Sequence, residues 1–212
     1  MNGIHLPRGR FTDALIAFSV FVFLFALFAL GLQEAANRFG FIPLEFSSGA
    51  WVQSPVRALL TPLASQFLPT GIIVLVFNGL FLLLAGRFVE KAIGPAGLGA
   101  VFVAGVYGGA LARLLLTPGS PIASAGSTPA LFAVVGAYLM LYGVPRGIPI
   151  AQRQRRIVQI AALAGIWVAI QLLFMLAASS LEFSVSVIEP LGGLIAGVAL
   201  ARPLVRWRYR NA

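Results

Sequence analysis

The sequence has no cysteine, one histidine (His5) and one lysine (Lys91). Without cysteine there is no thiol nucleophile, no disulfide, no zinc–thiolate site and no iron–sulfur cluster. With His5 near the N-terminus and Lys91 between apolar runs, a mechanism that needs a histidine or lysine base inside a membrane has no candidate. Charge is also scarce: 10% of residues, with six acidic against 15 basic. Soluble domains carry about 25% charge and about 45–50% apolar residues. Here 59% are hydrophobic and the mean hydropathy is +0.96, which excludes a soluble globule and is too apolar for a disordered chain. What remains is a polytopic membrane protein, one domain over 1–212.

Spans are read from charge-free apolar runs. The pattern predicts six, at about 12–33, 70–86, 96–116, 126–143, 157–179 and 185–205. The second run carries Pro62 and Pro69, so its first part reads as re-entrant or interfacial, with the helix proper from about Thr70. The fourth opens on Thr117-Pro118-Gly119-Ser120-Pro121, a turn. The segment 34–69 reads as an outer loop on the membrane surface, with Phe39, Phe41, Phe46, Trp51 and Phe67 at headgroup level. Six spans put both termini on one side, which also holds 12 of the 15 basic residues. The positive-inside rule makes that side the cytoplasm. Basic charge split among short loops argues against nucleic acid as a partner. Fourteen of the basic residues are arginine, which hints at a GC-rich bacterial genome and an inner (cytoplasmic) membrane.

From the second span onward the residues resemble a known family. The stretches Leu59-Leu60-Thr61, Gln66-Phe67-Leu68-Pro69-Thr70-Gly71 and Phe77-Asn78-Gly79-Leu80-Phe81-Leu82 are followed by Gly86-Arg87-Phe88-Val89-Glu90-Lys91-Ala92-Ile93-Gly94. That last stretch is similar to a G-R-x-V-E-x-x-x-G loop. Gly126-Ser127-Thr128-Pro129-Ala130-Leu131-Phe132 through Tyr138 is similar to G-x-S-G-A-I-F-G-x-x-G-A-Y, Trp167 and Gln171 to W-x-x-x-Q, and Pro190 to Gly197 to H-x-G-G-x-x-x-G. In this order and on these spans the motifs resemble the rhomboid intramembrane serine proteases. The resemblance implies an all-α, six-helix rhomboid-like bundle with both termini cytoplasmic.

The departures bear on activity. The resemblance places the family's nucleophilic serine at Thr128 and its histidine at Pro190. The family's second-helix histidines fall at Pro69 and Val74, and of the polar oxyanion residues Asn78 alone is kept; Pro129 stands where the family has glycine. An alcohol needs a base to become a nucleophile. Loss of either dyad member costs on the order of 10⁶ in serine proteases. Each lost oxyanion donor costs about 10²–10³ more, and Pro129 has no amide N–H. The expectation is therefore no catalytic residue and no cofactor or metal: a pseudoprotease with Thr128, Pro190, Asn78, Val74 and Pro69 as relict positions. Glu189 is the one titratable group beside position 190, so a residual hydrolase acting through Thr128 stays as the remote alternative.

Gly105, Gly109, Gly193 and Gly197 form small-xxx-small pairs suited to close helix packing. Arg113 and Glu189 are charges at membrane depth. They either snorkel to water, pair with each other, or pair with a partner. Arg87 and Glu90 are expected to hydrogen-bond across helix ends. Arg153, Arg155, Arg156, Arg206, Arg208 and Arg210 are expected at anionic lipid headgroups.

Two functions stay open. One is non-proteolytic binding of other proteins' transmembrane helices (retention, chaperoning or assembly), through the gap between the second and fifth spans where rhomboid substrates are thought to enter, with Phe81 and Leu173 at its edges. The other is a fixed, stoichiometric subunit of a larger respiratory or photosynthetic membrane complex, held by the phenylalanine-rich first span. The partners are other integral membrane proteins in both cases.

Overall fold

The computed structural model describes residues 7–68, 71–126, 128–143, 155–177 and 188–210, with the backbone alone at 50 and 170–177. It is helical: α1 (Arg10–Phe25, running on as a π-helical turn, Ala26–Leu30), α2 (Leu32–Phe39), α3 (Pro43–Ser47), a short 3-10 turn (Ala50–Gln53), α4 (Pro55–Ser65), α5 (Ile72–Phe81, with a π-helical turn at Leu82–Gly86), α6 (Arg87–Leu116), α7 (Thr128–Tyr142), α8 (Arg156–Ala177) and α9 (Ile188–Arg208). Proline opens α3 and α4, at the first helical turn where the missing N–H is harmless. Among the described residues, three helical stretches are long and apolar enough to cross a membrane: Arg10–Leu30, Ile72–Leu116 and Ile188–Arg208.

The middle stretch is 45 residues long. At about 1.5 Å per residue that is roughly twice a ~30 Å hydrocarbon core. It is broken once, at Gly94 (φ 82, ψ 170), in a backbone region essentially closed to any residue with a Cβ. Pro95 then restarts the helix. The segment from Arg87 to Gly94 was expected to be a loop. It is helical up to Gly94, because nothing before that glycine breaks the hydrogen-bond ladder.

The core is a three-helix seam of α6, α7 and α9. Its centre is made of Leu98, Val101, Val134, Ala133, Ala137 and Ala201, all fully buried. In lipid, helices gain little from the hydrophobic effect, and close van der Waals packing holds them instead. Small residues allow it. α8 joins the outside of α7, where the Trp167 and Phe132 rings lie 4.6 Å apart. α1 and α5 flank the seam on the other side.

Segment 34–69, expected as a membrane-surface loop, is helical over much of its length up to 68, with α2, α3 and α4, and is joined to the α6–α7 connection. Phe41 and Ser124 exchange both backbone hydrogen bonds (3.0 and 2.8 Å). Phe41 is buried, and the Phe67 ring sits between Phe18 of α1 (4.8 Å) and Phe102 of α6 (5.7 Å). Phe39 and Trp51 remain exposed, as headgroup-level rings would be.

At the opposite end, Glu90 caps α1. The N-cap position of α1 is Gly9, which has no side chain to cap with. The Glu90 carboxylate instead accepts from the Phe11 and Thr12 amides (3.1 and 2.8 Å) and from the Thr12 hydroxyl (2.7 Å). A carboxylate there also meets the positive end of the helix dipole. Arg87 pairs with Asp13 (2.8 Å), but Asp13 is half exposed. Hydrogen bonds to a buried charge contribute about 1.5–3 kcal/mol, an exposed pair about 0–1. Glu90→Ala is therefore expected to speed amide exchange over 10–25 by an order of magnitude or more, with Arg87→Ala close to wild type. Equal effects would show that the cap does not anchor α1.

Candidate functional site: the relict dyad positions

α7 begins at Thr128, after Gly126, whose φ of 119 favours glycine. The Gly126 amide donates to the Ser65 carbonyl (2.8 Å), which fastens the end of α4 to the start of α7. Thr128 is half-buried. Pro129 is buried and wedged between two helices: its carbonyl faces Gly193 of α9 and its ring faces Gly109 of α6. Pro129 offers no amide. The next amide, Ala130 N–H, donates to Gln66 Oε1 (3.4 Å), and Gln66 Nε2 donates to Ser65 Oγ (3.3 Å). Gln66 and Ser65 are both buried. So the amide that a helix N-terminus would aim at an oxyanion is already engaged by a glutamine from α4.

Pro190 is buried on the first turn of α9. Its neighbour Glu189 is 7% exposed and has both oxygens engaged. Arg113 Nη1 donates to Oε1 (2.6 Å) and Ser124 Oγ to Oε2 (2.6 Å). Arg113, itself 9% exposed, also donates from Nη2 to the Ile122 carbonyl (2.8 Å). Of the arrangements open to these two charges, the structure takes the mutual pair, and neither snorkels to water. The pair ties the N-terminus of α9 to the end of α6 and to the connection before α7.

Asn78 is buried on α5 and lines a cavity of about 30 Å³ together with Ile16, Ser19, Leu75, Phe102 and Leu131. That is room for one or two waters. Ser19 Oγ donates to the Leu15 carbonyl (2.9 Å). Neither Thr128 nor Pro190 lines this cavity. Val74, one turn before Asn78, is half-buried, and Pro69 lies outside the described residues. Thr128 and Pro190 belong to the α6–α7–α9 seam, and Asn78 faces a cavity enclosed by residues of α1, α5, α6 and α7.

Gly105, Gly109, Gly193 and Gly197 all sit in that seam. A Cβ added at Gly105 would meet Ala133, and one at Gly109 would meet the Pro129 ring. Gly193 faces the Pro129 carbonyl and Gly197 the Ala133 carbonyl at backbone contact. Phe81 is on the exposed face of α5, its ring 4.5 Å from Phe77. Leu173 lies on α8, where the backbone alone is described.

Two of the arginines expected at headgroups also close helix ends while remaining exposed. Arg208 Nη1 donates to the Lys91 carbonyl (2.8 Å) and the Glu90 carbonyl (3.4 Å), the open end of the helix before Gly94. Arg156 Nη1 donates to the Met140 and Leu141 carbonyls (2.7 and 2.8 Å), the open end of α7. A cation at unsatisfied C-terminal carbonyls is favoured by about 0.3–1 kcal/mol. Arg155, Arg206 and Arg210 are exposed, and Arg153 lies outside the described residues.

Gln66, Ser65 and Ser124 carry the polar fastening of the site. In the sequence Gln66 entered only as part of a stretch that carries the resemblance, with no polar role, and the two serines have no periodicity or motif spacing to mark them.

No curated protein and no solved structure matches the chain. The family model for the Rhomboid domain matches residues 56–207, from the start of α4 to the end of α9. That span holds the Gly94 break, the Thr128 and Pro190 positions and the whole α6–α7–α9 seam, and it is well over half of the chain: the protein belongs to the rhomboid family.

Proposed function

We propose that this rhomboid-family membrane protein does not cut peptide bonds and instead binds transmembrane helices of other proteins, to retain, chaperone or assemble them. The reading includes six spans, with both termini on the cytoplasmic side of a bacterial inner membrane. The break at Gly94 supports it by dividing the Ile72–Leu116 stretch in two, as do the further apolar helices α7 (15 residues) and α8 (22 residues). One observation carries the reading. At the dyad positions stand Thr128 and Pro190, and the polar groups around them are used as fasteners: Gln66 on the Ala130 amide, Glu189 on Arg113 and Ser124. The scaffold is meanwhile intact, and α5 shows an apolar outer face with Ile73 82% exposed and Val76, Phe77 and Phe81 beside it.

A photo-crosslinker at Phe81 in native membranes is expected to trap a partner helix, and one at Leu115 on α6 is expected to trap lipid. Lipid at both positions would remove the support for helix binding. A fluorophosphonate probe is expected to leave the protein unlabelled. Labelling that disappears in Thr128→Ala would make it a hydrolase.

The phenylalanines of α1 favour a second reading, a stoichiometric subunit of a larger membrane complex. Phe21, Phe25 and Phe28 point outward as one row. Purification in mild detergent separates the two readings: a permanent subunit brings one companion at one to one, a transient binder brings none or several in trace amounts.

A further inference from the structure

The buried side of α9 runs through Gly193, Gly197 and Ala201. The opposite side runs through Ile195, Ala199, Arg202, Arg206 and Arg210, at steps of four, three, four and four residues, and all five are exposed. One outward stripe thus changes from apolar to cationic at Arg202. Arg208, two residues from both Arg206 and Arg210, faces the other way, onto the Glu90 and Lys91 carbonyls. Among the described residues, no carboxylate forms an ion pair with Arg202, Arg206 or Arg210; the ion pairs there use Arg38, Arg87 and Arg113.

Depth makes this uneven charge informative. Arg202 is seven residues, about 10 Å along the axis, from Ile195, and thirteen residues, about 20 Å, from Glu189 at the other end of the helix. In the six-span reading, with the last span at about 185–205, Arg202 falls in the last turn before the inner edge of the hydrocarbon core, with Arg206 one turn further and Arg210 just past the end of α9. Charges in spans nearly always face the bundle interior; this one faces lipid. Its long stem reaches toward the headgroups. There, two guanidinium forks one turn apart match phosphate oxygens. Trp207, exposed beside Arg206, is suited to the same level.

We infer that Arg202, Arg206 and Arg210 form a binding site for the phosphate headgroup of an anionic phospholipid, whose acyl chain lies along Ile195 and Ala199. The apolar stripe continuing from the arginines points to a phospholipid over a free anion. The inference rests on the span reading above but not on helix binding, so the two can fail separately.

The test is native mass spectrometry of the full-length protein in mild detergent with equal phosphatidylglycerol and phosphatidylcholine. The wild type should retain phosphatidylglycerol preferentially. Arg202→Gln and Arg206→Gln should each lower that preference about fivefold, the factor that corresponds to about 1 kcal/mol per basic residue at an anionic surface. Arg155→Gln, just before α8 and off the α9 stripe, should lower it far less, and Arg208→Gln should lower the unfolding temperature but keep the preference. A preference that survives both substitutions, or falls equally with Arg155→Gln, overturns the site in favour of diffuse charge. Displacement of the lipid by 10 mM inorganic phosphate overturns it in favour of a free-anion site, and an acidic protein retained in place of lipid overturns it too. All three arginines are exposed, so the variants should unfold at the wild-type temperature. Arg206→Gln, nearer the water, gives the same readout if Arg202→Gln does not express.

Discussion

Gly197→Ala is expected to separate α9 from α7 and to leave little folded protein in detergent. A Cβ at Gly197 would fall on the carbonyl oxygen of Ala133, with the Ala133 carbonyl carbon and Cα next to it. All three are backbone atoms, and the helix that carries them is itself pressed against α6. No side chain can rotate away, so the two helices must move apart along their whole contact. Overpacking commonly costs about 1–3 kcal/mol where a neighbour can yield; here a rigid backbone puts the cost at or beyond about 3 kcal/mol. Gly193→Ala should behave alike, since its Cβ would meet the Pro129 carbonyl. Gly165→Ala is the control. Nothing lies within 4 Å of a Cβ there, and in a helix interior alanine is better than glycine by about 0.5–1 kcal/mol. Unfolding temperatures of the three variants in one detergent decide the matter. If Gly197→Ala unfolds as the wild type does, the seam is looser than this packing requires.

How much of this was legible beforehand depends on the kind of signal. The glycine spacings Gly105-x-x-x-Gly109 and Gly193-x-x-x-Gly197 are periodic, and a helix turns period into a face. The apolar runs carry no such period, and helices occupy them among the described residues, with α5 beginning at Ile72 and α8 at Arg156. The Glu90 cap was half legible. The motif marked the residue and a helix-end role, but its partner is the start of α1, 78 residues away, and separation along the chain leaves no pattern. Arg208 and Arg156 look like any headgroup arginine in sequence. The placement of open carbonyls at Lys91 and at Met140 and Leu141, to which these side chains donate while staying exposed, leaves no mark in the sequence. In segment 34–69, apolar and aromatic content does not distinguish an open strip from helices tied to the bundle; the Phe41–Ser124 bridge, between residues 83 apart, leaves no pattern in sequence.

Removing Glu189 is expected to be nearly as damaging as opening the glycine seam, and for the opposite reason, since it leaves too little rather than too much. Arg113 is 9% exposed and sits between the Glu189 carboxylate and the Ile122 carbonyl. In Glu189→Ala its charge stays buried with one neutral acceptor, and the Ser124 hydroxyl loses its carboxylate as well. Breaking a buried pair from one side typically costs about 3–5 kcal/mol, because the surviving charge is uncompensated. The pair as a whole is another matter. Its mutual attraction is set against the cost of taking both ions out of water, so Arg113→Met with Glu189→Leu should recover most of the loss and can end at or above wild-type stability. Ser124→Ala should cost less than either single change, about 1.5–3 kcal/mol for a hydrogen bond to a charged group. Unfolding of the two single variants, the double variant and Ser124→Ala in one detergent gives the coupling directly. Additive losses in the double variant would mean that the two charges are held by something other than each other. Recovery would show that the Glu189 carboxylate beside Pro190 serves to set α9 against α6 through Arg113.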